Sequence, residues 1–485
     1  MSPRASAPRF LSMLILLMAV LPAQAQDGQL DLTFDPGTAT GTAVESVTLQ
    51  PDGKIIVTGH FDSRIVRLHA DGSVDSGFTR PGLWGAVLYA TAVLPDGKVL
   101  VVGQFSTYLD VPVNNIVRLN ADGTVDNSFH YGDGPDDYIT NVIVQPDGKI
   151  LISGRFKTYD GVSRAGVARL NADGTVDPSF DPGTGVAGVT GDVQAMALHD
   201  DGRIVLAGLF TSYNGVSRYR IAQINADGSL DTSFEPARIG GGAGSIHTAN
   251  SLATTPDGKV VVGGHFSTVD ATPHNSIVRL NADGSVDTSF TTGAGVHTNY
   301  GTAVNALLVM ANGKVLLGGA FNTVAGEDRR GIARLNADGS LDASFTPGTG
   351  LEYGIGQYAN VASFAMQPDG NVLVGGFFVR YNDIERRFVL RLTVGLAVSV
   401  EEMPSRVAAW STWPNPARDA LYMDAVEPGS EITVHDLLGR TVRVATEVHG
   451  QGPLRIPVDG LSSGTYLVRV RSGQAVSSRP IMIMR

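Results

Sequence analysis

Three short signatures recur seven times in fixed order along this chain, and that recurrence restricts the fold more than any other property. The first is a turn, Pro-Asp-Gly-Lys in its commonest form, with its glycine at Gly53, Gly97, Gly148, Gly202, Gly258, Gly313 and Gly370. The second is Gly-x-Phe, ending at Phe61, Phe105, Phe156, Phe210, Phe266, Phe321 and Phe378. The third, Ala-Asp-Gly-(Ser/Thr)-(Val/Leu)-Asp-x-x-Phe, has its glycine at Gly72, Gly123, Gly174, Gly228, Gly284 and Gly339. Its seventh copy stands ahead of the first repeat, as Asp27-Gly28-Gln29-Leu30-Asp31-Leu32-Thr33-Phe34, while the last repeat stops after Phe388-Val389-Leu390-Arg391-Leu392. A stack of repeats with two open ends has no use for such a permutation. A closed ring does, because the N-terminal strand then completes the last unit. The expected fold is all-β, a seven-bladed β-propeller with N-terminal strand closure over residues 26–393.

Each unit reads as four strands. In the fifth they cover residues 251–254, 260–266, 276–280 and 285–290. Both turn signatures follow one recipe: proline or alanine at the first central position of a type I turn, aspartate at the second, and glycine where φ must be positive. Of the 59 glycines in 485 residues, 21 are thus set by the blades, three to each. At the turns and the Gly-x-Phe positions the repeats resemble the delta-60 repeat family of secreted bacterial proteins, over about residues 27–393. The resemblance implies the propeller fold and no particular activity.

In a four-stranded blade the first and third connections share one end of the ring. The second connections and the blade links share the other. The tight turns therefore form a uniform face, and the longer, dissimilar loops form the face expected to bind. Those loops carry the candidate ligand-binding residues Trp84, Tyr89, Tyr131, Tyr138, Tyr300 and Tyr353, with Tyr108, Tyr159, Tyr213 and Tyr381 in the second connections. Aromatic platforms beside carboxylates suit a carbohydrate or a peptide.

Other motifs are better explained by turns. Gly183-Thr184-Gly185-Val186-Ala187-Gly188 matches a dinucleotide fingerprint but lacks the strand and helix around it. Asn281-x-Asp283-Gly284-x-x-Asp287 and its counterparts leave calcium open as a ligand, although turn chemistry accounts for the same residues. No other cofactor or metal is expected. Five of the six lysines (Lys54, Lys98, Lys149, Lys259, Lys314) follow the first turn and read as solvated turn residues. His60 and His265 sit in Gly-x-Phe of blades that are not neighbours.

The two ends concern destination. Arg4 and Arg9 precede an apolar run from Phe10 to Leu21, and Ala23-Gln24-Ala25 supplies a small-x-small cleavage pattern. Residues 1–25 are read as a signal peptide cut between Ala25 and Gln26. After a linker, 394–411, residues 412–485 read as a small immunoglobulin-like β-sandwich. There Trp413-Pro414-Asn415-Pro416, then Asp436-x-x-Gly439-Arg440, then Leu461-x-x-Gly464-x-Tyr466, resemble the type A C-terminal sorting domain of the type IX secretion system. Two departures are Trp413, where tyrosine or phenylalanine is usual, and an end, Ile483-Met484-Arg485, without the common lysines. The resemblance implies a Bacteroidota-type protein, secreted or held on the outer-membrane surface after passing the periplasm. Its partners would be signal peptidase and the type IX machinery.

A formal net charge of −11 argues against nucleic acid or an anionic membrane as partner. With no cysteine there is no disulfide framework or thiol nucleophile. The expected protein is a monomeric, exported binding or adhesion scaffold for an extracellular glycan or protein, with no transmembrane segment once mature. A secreted enzyme acting on polysaccharide or peptide, and a passive surface-layer component, stay open as alternatives.

Overall fold

The computed structural model describes residues 27–80, 86–188, 190–240, 247–297, 303–354 and 359–394, and in the C-terminal part 411–413, 417–424, 431–435, 441–445, 454–461, 464–472 and 475–483. No helix occurs among them, and so none long and apolar enough to cross a membrane. Within residues 27–394 seven antiparallel blade sheets stand around a ring, with smaller hairpin sheets beside them. Their first strands are Val44–Leu49, Val87–Val93, Ile139–Val144, Asp192–Leu198, Thr248–Thr254, Ala303–Val309 and Asn360–Met366. Each of these touches the first strands of both neighbouring blades, and the seventh touches the first, so they are the innermost strands of a closed circle.

The second strands, such as Ile55–Gly59 and Val260–His265, are buried almost throughout. Their unbroken apolar runs follow from having a blade stacked on each face. Glycine sets the spacing at one seam: a Cβ on Gly375 of blade 7 would come within 2.4 Å of Val47 of blade 1. The first turn forms as expected, with the Gly53 N–H donating to the Gln50 carbonyl (3.0 Å) and Gly53 at φ 83°.

The fourth strand is shorter than the sequence pattern suggests. In blades 1–6 it is reduced to a single bridge, Leu280↔Val286 in blade 5. The signature aspartate explains this. Asp287 Oδ1 accepts from both the N–H and the hydroxyl of Ser289, and the Asp287 carbonyl accepts from the Phe290 N–H, so the chain turns away from the ladder. In blade 7 the edge is the N-terminal strand Gln29–Leu30, paired with Val389–Thr393 through Gln29↔Thr393 and Leu30↔Leu392. Closure of the ring by the N-terminus is therefore observed directly. The Gly28 N–H donates to the Thr393 carbonyl (2.8 Å) and the Asp31 N–H to that of Arg391 (2.9 Å).

A repeated charged group joins the blades. Lys259 reaches past its own turn aspartate (3.9 Å) to Asp287 (2.8 Å), which also receives Arg279 Nε (2.7 Å). The first-turn lysines are thus paired residues and not free solvated ones. Arg279 lies over the ring of Phe290 (4.6 Å) and donates to the Ala337 carbonyl of the next blade (2.6 Å). The same arginine–aspartate–phenylalanine grouping recurs at Arg118, Arg169 and, across the closure, at Arg391 with Asp31 and Phe34. Blade 4 departs from it, with Gln223 donating to Asp231.

The second connections are also more regular than their sequences suggest. In blades 2–7 each is a two-residue hairpin, such as Ser212–Tyr213 with Val216–Ser217, whose turn residues both have positive φ (Asn214 45°, Gly215 75°). In blades 4–7 a strand from the blade link, such as Val186–Ala187, extends it to three. These hairpins do not crown the loop side. The Tyr213 hydroxyl donates to the carbonyl of Gly228 in the third connection of its own blade (2.6 Å), so the hairpin folds back along the outer edge left short by the fourth strand. Tyr108, Tyr159, Tyr213 and Tyr381, expected among the aromatics of the loop face, are consequently fully buried packing residues.

In the C-terminal part, Ser411–Trp413, Ala420–Asp424 and Leu454–Pro457 form one sheet. Glu431–His435, Thr441–Ala445, Gly464–Ser472 and Ala475–Ile483 form a second. Leu421, Met423 and Ile456 of the first share one core with Ile432, Val434, Tyr466, Val468 and Ile481 of the second. Trp413 lies within the first sheet, opposite Tyr422. Pro414, Asn415, Pro416, Asp436 and Gly439 lie outside the described residues, as do Ala25 and Gln26.

Candidate functional site at the mouth of the ring

Every innermost strand carries a β-bulge at the same place, eight residues before the turn glycine. The bulged residues are Glu45, Tyr89, Thr140, Gln194, Asn250, Asn305 and Ala362. A bulge re-aims a side chain, and here it does so at the strand end opposite the tight turns, where the loop side opens on the centre of the ring. The ring is uniform in backbone at this level and varied in chemistry.

On one side it is lined by amides: Asn250 Nδ2 donates to Asn305 Oδ1 (3.1 Å), and Asn305 Nδ2 to Asn360 Oδ1 (2.8 Å). Across blades 1–4 it carries aromatic and ionisable groups. Glu45 pairs with His60 (3.1 Å). Tyr89 and Tyr138 face each other at 5.7 Å between ring centroids, tilted by 51°. The Tyr138 hydroxyl donates to Asp192 Oδ2 (3.0 Å), and Arg155 lies over the Tyr138 ring (6.0 Å) and beside Asp137 (3.4 Å).

Asp192 is 8% exposed, and its Oδ1 has no hydrogen-bond partner among the described residues. Burial raises its carboxyl above the ordinary range, against the hydrogen bond from Tyr138, which lowers it. Burial, then the charge of Asp192, pushes the Tyr138 phenol up to about 12. Tyr89 is raised by burial and by the charges of Glu45, Asp192 and Asp137. The result is an arc of two half-buried rings with an acceptor at each end, able to stack on a ligand while accepting its hydrogen bonds.

Of the residues expected to bind, the structure brings together Tyr89 and Tyr138. Tyr131 does not join them. Its hydroxyl donates to the carbonyls of Arg118 (3.2 Å) and Asp126 (3.0 Å), which pins a loop, and burial pushes its phenol up to about 12. Tyr353 lies elsewhere, stacked on Phe377 (3.6 Å) beside a 740 Å³ cavity between blades 6 and 7. Trp84 and Tyr300 lie outside the described residues. His265 meets His247 of its own blade link (6.1 Å). Sequence reasoning missed Glu45, Arg155 and Asp192. Aligning the repeats on the turn glycine would have exposed Glu45 through the fixed bulge position it shares with Tyr89.

The model of the domain of unknown function (DUF5122) β-propeller matches residues 50–78, 94–129, 145–180, 199–234, 255–290, 311–345 and 367–394, one match per blade. The chain belongs to the DUF5122 β-propeller family. The last match ends at 394 without a third signature, as the N-terminal permutation requires. A secretion system C-terminal sorting domain matches residues 411–484 of this DUF5122 protein. It is thus an exported propeller, handled by the type IX secretion machinery and delivered to the cell surface or beyond it.

No curated protein sequence matches the chain. Among solved structures it is similar to PorZ, a surface component of the type IX secretion system of Porphyromonas gingivalis (14% identity, TM-score 0.33, 92% of this chain and 52% of that one). It is also similar to the extracellular domain of a putative one-component system from B. thetaiotaomicron (11%, 0.43, 95% and 59%). A third is virginiamycin B lyase from Staphylococcus aureus (14%, 0.46, 73% and 96%). The chain spans between half and three fifths of the length of the first two.

Proposed function

We propose that this exported propeller is a binding scaffold that presents the loop-side mouth of its ring to an extracellular glycan or protein. The observation that carries the reading is the arc of half-buried rings, Tyr89 and Tyr138 at 5.7 Å between centroids, with the Tyr138 hydroxyl fixed on Asp192 (3.0 Å). Aromatic faces beside fixed polar groups suit a saccharide or a peptide. On this reading residues 1–25 are a leader removed before the propeller folds, in a Bacteroidota-type cell.

The full-length protein on glycan and peptide arrays tests the proposal. Saturable binding that falls at least about tenfold in Tyr138→Ala is the expected result. Release of a product would move the assignment to a hydrolase, and retention of full affinity by Tyr138→Ala would remove the arc from consideration.

A further inference from the structure

A second site is built at the rim between blades 4 and 5, away from the mouth. A cavity of 610 Å³ is lined there by Thr211, Ser217, Arg218, Tyr219, Glu235 and Arg238, among others. Arg238 lies 4.5 Å over the Tyr219 ring and Arg220 lies 4.9 Å over it, and Arg220 also donates to the Tyr219 hydroxyl (3.4 Å). That hydrogen bond and the two positive charges keep the phenol below its ordinary range.

The repeats allow a comparison. At the place of Arg218, Arg386 of blade 7 pairs with Asp35 (3.5 Å), while Arg164 of blade 3 and Arg329 of blade 6 have no carboxylate within ion-pair distance among the described residues; at the place of Tyr219, Arg330 pairs with Glu352 (3.3 Å) and Arg387 with Glu385 (2.6 Å). Arg218, Arg220 and Arg238 have no carboxylate within ion-pair distance among the described residues. On a chain of net charge −11, Arg218 and Arg238 line one cavity against a single carboxylate, Glu235, and with Arg220 behind Tyr219 they form a site for an oxyanion.

The surroundings narrow the class of ligand. The negative chain and Glu235 at the cavity wall repel a dense polyanion, so the negative charges must be spaced. Thr211, Ser217 and Glu235 offer hydrogen-bond partners for neutral hydroxyls, and the volume suits one or two sugar rings. We infer that this rim cavity binds a uronate-type saccharide, with Arg218 and Arg238 taking the carboxylate and the Tyr219 ring holding Arg238 in position.

Calorimetric titration of the full chain with tetragalacturonate, neutral maltotetraose and tetraglutamate tests the inference. Tetragalacturonate alone should saturate. Its affinity should fall about tenfold in Arg218→Gln and in Arg238→Gln, weaken with added salt, and stay unchanged in Lys157→Gln, which removes one charge from blade 3. Should Arg218→Gln melt early, Arg238→Gln, an exposed position, carries the test by itself. Equal binding of maltotetraose, preference for tetraglutamate, an equal loss in Lys157→Gln, or no binding would each overturn it. None of these outcomes depends on Tyr138, so the two sites fail or stand separately.

Discussion

In five of the seven blades the signature aspartate holds a lysine and an arginine at one carboxylate, and the cost of losing it is set by what it would leave behind. In blade 5, Asp287→Asn strands Arg279, 9% exposed, beside Lys259, and should destabilise by about 2–4 kcal/mol in urea unfolding. In blade 4 the neutral Gln223 is the close partner and Arg203 stands at 3.6 Å, so Asp231→Asn should cost less, about 1 kcal/mol. The same groups fix the acid limit. The Lys54 hydrogen bond holds Asp75 at about 2 despite burial. In Asp126, Asp177, Asp287 and Asp342 burial raises the carboxyl, but the lysine, serine and arginine hydrogen bonds outweigh it, leaving each below the ordinary range. Since the folded values lie below the unfolded ones, the stabilisation is complete above about pH 4 and is lost as pH falls toward 2 and below. Calorimetry should find a melting temperature steady from about pH 7 to 5 and falling steeply below about pH 4; a flat profile would mean that these pairs add nothing to stability.

At the scale of elements, the hairpins that lie along the outer edges differ in one atom's fate. The Tyr213 hydroxyl donates to Gly228, whereas that of Tyr159, equally buried, has no partner among the described residues. Tyr213→Phe should therefore cost about 1 kcal/mol and Tyr159→Phe nothing or less than nothing, measured by denaturant titration of both variants. These hairpins mark where the sequence became hard to read. The turn signatures were legible because a positive φ needs glycine wherever a tight turn of this type closes, so seven blades could be counted. The fourth strand was overread because Val286-Asp287 looks like strand alternation, while the aspartate in fact closes a local turn on Ser289. The mouth was half legible. Tyr89 and Tyr138 stand out as loop aromatics, but Asp192 is an ordinary polar residue in its own repeat. It meets Tyr138 only because stacking brings residues 54 positions apart into contact.

For the whole molecule the closure is decisive. Asp27 to Phe34 supply the edge of blade 7, the anion for Arg391 and a fully buried phenylalanine beneath it. Deleting residues 27–34 should remove about 5 kcal/mol and lower the melting temperature by about 5 °C or more; an unchanged value would show that the ring closes without them. The paired residues Asp31 and Arg391 are 360 positions apart. That distance is also a delay. A chain made from its N-terminus at about 5–20 residues per second keeps its first strand unpaired for roughly 20–70 s, until the last repeat arrives. A truncated or stalled chain never satisfies it. The ring therefore acts as a test of completeness, in which only a molecule that carries its final repeat can hide its first strand from chaperones and proteases.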